Sequence, residues 1–152
     1  VSTVDVLVMR SELTSAHHAI ARLGGFVDMA PTKPDEYLPI AEIDIPDAVS
    51  HVLHDVDLGA EFFYVTPDDA LPRIIDRGRS PLTIEEGLAV LLQDAEILKT
   101  AHPFSLLGSR RGDRRVPALW SSGGRPRLGW CWAGAPHSWL GAASCAERVL
   151  AS

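Results

Sequence analysis

Along the first thirty positions the hydrophobic pattern changes period once. Val4 to Met9 alternates and is rich in β-branched residues, which predicts a strand. Leu13, Ala16, Ile20 and Leu23 then fall at helical spacing, with Ser11 as the N-cap and Gly24-Gly25 as the stop. From Phe26 to Pro46, prolines and glycines break the pattern into an irregular connection, with one helical turn expected in KPDEYLPI. His51 to Asp57 and Glu61 to Val65 are the next predicted strands.

Thr66-Pro67-Asp68-Asp69 is a helix start: a threonine cap, proline at the first helical position and two carboxylates at the positive end of the helix dipole. Pro72 is expected to kink or restart that helix, and Gly78 closes it. The strongest helical pattern is Thr83 to Lys99. Thr83 and Glu86 form a capping box, and Ile84, Leu88, Leu91, Leu92, Ala95 and Leu98 make one apolar face.

Two extended runs flank Gly123-Gly124, a dipeptide suited to a two-residue hairpin loop with positive φ. Counting outward pairs Ser122 with Arg125, Trp120 with Arg127, Pro117 with Trp130 and Arg115 with Trp132. This register puts Pro117 and Pro126 at non-hydrogen-bonded pairs, where a missing N–H costs that ladder nothing. A slip of one residue would put both in bonded pairs. Leu119, Pro117, Leu128, Trp130 and Trp132 then share one face, and Val116, Ala118, Trp120 and Cys131 the other. Both faces are largely apolar, so the hairpin belongs inside the domain. The whole pattern predicts one α+β domain over residues 1–152. Its antiparallel or mixed sheet combines the N-terminal strand, the 51–65 region and the C-terminal hairpin, with two or three helices on one face.

Composition narrows the class. A chain of 152 residues has the size of one ordinary domain, and no apolar run approaches the roughly 18 to 20 residues that span a bilayer. Cys131 and Cys145 are too few for a disulfide framework, and the N-terminal VSTVDVLVMR lacks a basic leader pattern, so a cytoplasmic location is expected. The net charge is −6, yet residues 109–127 hold six arginines against the single acid Asp113. An acidic body with one basic segment argues against general nucleic-acid binding and for a local anion site.

The runs GSRRGDRRVPALW and GWCWAGAPHSWLG, with upstream DVDLG and VTPDDALPRI, resemble an uncharacterised family of small bacterial proteins known only as a domain of unknown function. The likeness spans about Val4 to Cys145. It implies a bacterial cytoplasmic protein and brings no reaction, substrate or cofactor.

Candidate chemistry centres on Ser109, Arg110, Arg111, Asp113, Arg114 and Arg115. Guanidinium groups grip phosphate or carboxylate bidentately, and Gly112 lets backbone N–H groups turn toward the same anion. The competing reading is a loop whose arginines pair with the acidic body and with Asp113. Trp120, Trp130, Trp132 and Trp139 would either stack a ligand or fill the core and stack on Arg115 and Arg127. Trp130 and Trp132 are expected in the core; Trp139, beside His137, is the candidate for ligand contact. Cys131, His137 and Cys145 lack a zinc-knuckle spacing, and no metal or cofactor is expected. Asp55 and Asp57 form a D-x-D pair suited either to Mg²⁺ or to guarding a strand edge. The expected function is a binding or regulatory module for a small anionic ligand. The alternatives are an enzyme using Asp113, His137 or a cysteine for proton transfer, and a module docking an acidic protein through its arginines.

Overall fold

The computed structural model describes residues 4–151, and its architecture is α+β. The first half runs β1 (Val4–Met9), α1 (Ala16–Ala21), β2 (Phe26–Val27), β3 (Leu38–Pro39) and β4 (Ser50–Val56). Next come α2 (Pro67–Asp76), β5 (Ser80–Pro81), α3 (Ile84–Gln93) and α4 (Ile97–Thr100). After these follow β6 (Phe104–Ser105), β7 (Ser109–Arg110), β8 (Arg115–Ser122) and β9 (Arg125–Trp132). The chain closes with β10 (Gly141–Ala142), β11 (Ser144–Cys145) and β12 (Glu147–Leu150). Among the described residues, no helix is long and apolar enough to cross a membrane.

The hairpin β8–β9 forms in the register that its glycines and prolines dictate, from Ser122↔Arg125 to Arg115↔Trp132. Gly123 (φ 60°) and Gly124 (φ 78°) both take the left-handed conformation that the tight loop needs. Its two faces enter two different clusters. Leu119, Leu128 and Trp130 pack with α1, α3 and β1, whereas Val116, Ala118 and Cys131 pack with Phe62 and with Ala70 and Ile74 of α2. That division explains why both faces of the hairpin are apolar: helices cover it on either side.

The strands predicted to share one sheet fall in two of the four sheets among the described residues. The hairpin lies in a five-stranded mixed sheet of order β10-β6-β8-β9-β2. The N-terminal strand pairs instead with β4, and β4 with β12, in a three-stranded antiparallel sheet. Val6 and Val8 of β1 turn inward onto α3 and Leu7 turns out, as the period of two requires.

Local competition accounts for the other departures. Glu61 to Val65 is no strand. Asp57 accepts the Gly59 N–H at 2.7 Å, Gly59 takes φ 73°, and the chain curls into a 3-10 turn over Ala60–Phe62. The first helix starts later than expected, because Arg10–Glu12 forms its own 3-10 turn and Ser15, not Ser11, caps α1 through the His18 N–H. The Thr83–Lys99 helix divides at Asp94, whose carboxylate accepts the Glu96 N–H and so competes with helix propagation. Helix α2 runs on through Pro72 to Asp76. The helical turn expected in KPDEYLPI is present as Pro34–Glu36.

Candidate functional site

The arginine loop assembles around its own acid. Gly112 (φ 88°) turns the chain between β7 and β8, and the Asp113 carboxylate lies among the arginines. Its carboxylate accepts from Arg111, from the Arg115 side chain at 2.7 Å and from the Arg115 N–H at 2.9 Å. Arg110 donates to the Asp113 carbonyl at 3.1 Å. Burial pushes the Asp113 carboxyl up, but these hydrogen bonds outweigh it and hold the group at about 2. Arg111 also reaches Glu36 at 3.0 Å, and Arg114 reaches Asp68 of α2 at 2.7 Å.

The tryptophans serve these arginines. Arg115 lies over Trp130 at 4.9 Å and Trp132 at 5.6 Å, and Arg127 lies over Trp120 at 4.7 Å. Trp130 is half-buried against the larger cluster, whereas Trp132, expected in the core, is 50% exposed above Arg115 at the end of β9. His137 and Trp139 pack together at 5.1 Å, with Trp139 edge-on to Trp120 at 6.4 Å. The structure thus gathers Arg110, Arg111 and Arg115 around Asp113, turns Arg114 to Asp68, and packs His137 with Trp139 beside Trp120.

Ser109 goes elsewhere. It is buried, and its hydroxyl accepts the Ile84 N–H at 2.9 Å, satisfying one of the free amides at the start of α3. That position puts Ser109 on the wall of a cleft of about 700 Å³, a volume typical of small-molecule sites. Apolar walls come from Leu13 and Ala16 at the start of α1, Tyr37 and Leu38, and Ile84 and Leu88 of α3. Arg10, His17, Lys33, Asp35 and Glu85 give the cleft side chains of both signs. Partial desolvation pushes the Glu85 carboxyl up against the pull of Arg10, and the neighbouring Glu86 adds to the rise.

Two buried residues of this cleft, His51 and Glu86, belong to a network with Arg148. Each has a local reason for its place. Glu86 is the third residue of α3, where the capping box holds it: Thr83 N–H to its Oε1 at 3.1 Å, and Glu86 N–H to the Thr83 hydroxyl at 3.2 Å. His51 on β4 shares the inward face with Leu53, and Arg148 on β12 pairs in register with Leu53. Both therefore face α3. Arg148 donates Nε to Glu86 Oε2 at 2.6 Å and an Nη2 proton to Oε1 at 2.7 Å, while His51 Nε2 meets Oε2 at 2.9 Å. Burial alone would raise the Glu86 carboxyl, but the bonds from Arg148 and His51 bring it down to about 2. The Arg148 guanidinium spends further donors on Ser80 Oγ and the Pro81 carbonyl. In sequence, only the capping role of Glu86 was legible; His51 and Arg148 reach it through strand pairing across 35 and 62 residues.

The cysteines are quiet. Cys131 and Cys145 are buried and unpaired, and burial pushes their thiols up to about 12 and about 11. Asp55 binds Arg79 and Asp57 closes the Gly59 turn, so the D-x-D pair shapes the end of β4. Among the described residues, no three His, Cys, Asp or Glu side chains are grouped as a metal centre requires. The model of a family of unknown function (DUF5701) matches residues 2–151. No curated protein and no solved structure matches the chain.

Proposed function

As the chain belongs to DUF5701, a family of unknown function, we propose its role from geometry: a binding module for a small molecule, held in the His51–Glu86 cleft. The observation that carries this reading is the conjunction of about 700 Å³ of largely apolar walls with a buried, charged network at its inner side. The arginine loop is framework in this proposal, because its guanidiniums already end on Asp113, Glu36 and Asp68. A ligand bearing a carboxylate or phosphate, the class expected from composition, would meet Arg10, His17 and Lys33 at the cleft. We also propose a cytoplasmic location, supported by two cysteines that stand unpaired.

The test is a protein-observed NMR screen with a set of water-soluble aromatic and aliphatic fragments. Binding should shift Leu13, Tyr37, Leu38, Ile84 and Leu88, and Leu38→Asp, on an exposed wall position, should abolish those shifts with the fold intact. Shifts confined to residues 109–115 and Trp139 would return the site to the arginine loop, and no shifts anywhere would end the binding proposal.

A further inference from the structure

Among the described residues, every group in the buried network has a partner except one nitrogen. Glu86 accepts four hydrogen bonds, two on each oxygen: Thr83 N–H and Arg148 Nη2 on Oε1, His51 Nε2 and Arg148 Nε on Oε2. Four is the full acceptor capacity of a carboxylate. Arg148, its side chain 4% exposed, is engaged through Nε, Nη1 and Nη2. His51, its side chain 3% exposed, has a partner at Nε2 and none among the described residues at Nδ1, which is itself buried.

The tautomer follows from the partner. A carboxylate already holding Arg148 is an anion and only accepts, so the proton shared by His51 and Glu86 sits on Nε2. In the neutral ring Nδ1 is then a bare acceptor. Glu86 cannot turn to serve it, being fixed at both oxygens by Arg148 and at one by Thr83. The ring is consequently held by one edge, with its other nitrogen left over, in a residue that lines the cleft. Buried polar groups in folded proteins are otherwise almost always paired.

We infer that His51 Nδ1 is the hydrogen-bond acceptor of the cleft, and that the cleft takes small molecules with an apolar body and one O–H or N–H donor. This inference rests on the cleft being a ligand site. Glu86 and Arg148 act through His51 as positioning residues: they fix its tautomer and ring plane, as a carboxylate fixes an imidazole that must present one defined nitrogen. Such a site favours ligands that carry the donor, because an analogue lacking it leaves the buried acceptor unpaired.

Two measurements on the wild-type protein with ¹⁵N-labelled histidine test it. Long-range ¹H–¹⁵N correlation at pH 8 without added probe should show His51 as the Nε2–H tautomer; a proton on Nδ1 in the neutral ring overturns the inference outright. Phenol and its methyl ether anisole, which lacks the O–H donor and carries one more methyl, are then titrated. Phenol should bind about tenfold more tightly, within the net contribution of one hydrogen bond, and should move the Nδ1 resonance while anisole does not. Equal affinities with equal effects on Nδ1 overturn the acceptor role and leave the cleft standing as an apolar site. Silence of Leu13, Leu38 and Leu88 toward both probes overturns the cleft reading and this inference with it.

Discussion

The Glu86–Arg148 pair makes a sharp thermodynamic prediction. Replacing Glu86 with Gln keeps the shape and removes the charge, which strands a guanidinium whose side chain is 4% exposed. Breaking one partner of a buried pair costs about 3–5 kcal/mol, because the surviving charge keeps its desolvation cost without compensation. Arg148→Met should cost a similar amount by stranding the carboxylate. The double variant Glu86→Gln, Arg148→Met strands neither charge, so it should be substantially more stable than the sum of the two losses predicts. Equilibrium urea unfolding at pH 7, followed by tryptophan fluorescence, reads all three variants.

Acid adds an independent axis. Glu86 has an ordinary carboxyl value of 4.5 when unfolded and about 2 when folded. A depressed folded value contributes stability that is fully present above 4.5 and is lost as pH falls through about 2. The difference corresponds to about 3 kcal/mol. The wild type should lose that amount across the window from this group, and Glu86→Gln should not show the same loss. Single variants that each cost under about 1 kcal/mol, or a double variant as unstable as the sum, would refute the account of a coupled buried pair.

Three further outcomes follow from particular contacts. Gly59→Ala should destabilise by more than about 2 kcal/mol in the same urea assay, since its Cβ would lie 2.1 Å from the Ala142 carbonyl oxygen at φ 73°, and neither backbone can yield cheaply. Cys131 and Cys145 should resist iodoacetamide at pH 7.5 and react only in denaturant, with mass spectrometry counting adducts; rapid native labelling would contradict thiols held at about 12 and about 11. Arg111→Ala should leave the urea midpoint close to that of the wild type, as loss of a solvent-facing ion pair does, and should leave fragment shifts in the cleft unchanged; loss of those shifts would tie the loop to the ligand.

What the sequence could disclose depended on how local the cause was. The β8–β9 register is set by two glycines and two prolines within a dozen residues, and it matches at every pair. The caps at Thr66 and Thr83 are equally local, and both form. Helix termination at Asp94 and the turn at Gly59 went astray where a side-chain carboxylate outcompeted a clear apolar period. Sheet membership was harder still. Nothing near Val4 says that β1 pairs with β4 and not with the hairpin, because several apolar strand faces are interchangeable until the chain closes. The arginine loop was legible as a cluster of charge, but composition counts its cations without locating Glu36 and Asp68, which reach it across 75 and 46 residues.

The cleft was hidden for a related reason, and the same reason makes it informative. Glu86 performs three tasks with one carboxylate: it completes the cap of α3, neutralises Arg148 of β12 and orients His51 of β4. A cap alone needs no burial, since exposed glutamates serve capping boxes well. An ion pair alone is more often neutral than stabilising once desolvation is counted, and an apolar pair of similar size would hold β12 to α3 as firmly. Neither structural task therefore explains why three ionisable side chains of 1–4% exposure are gathered where two of them, His51 and Glu86, line a cleft. Orientation of His51 does explain it, because a carboxylate accepting from Nε2 fixes the imidazole, and a buried carboxylate requires a counter-charge to remain ionised. The hydrophobic replacement of Glu86 and Arg148 separates the alternatives. If the fold keeps its stability while the His51 ring loses its single tautomer, the charges serve the cleft; if the tautomer persists without them, they serve only the fold.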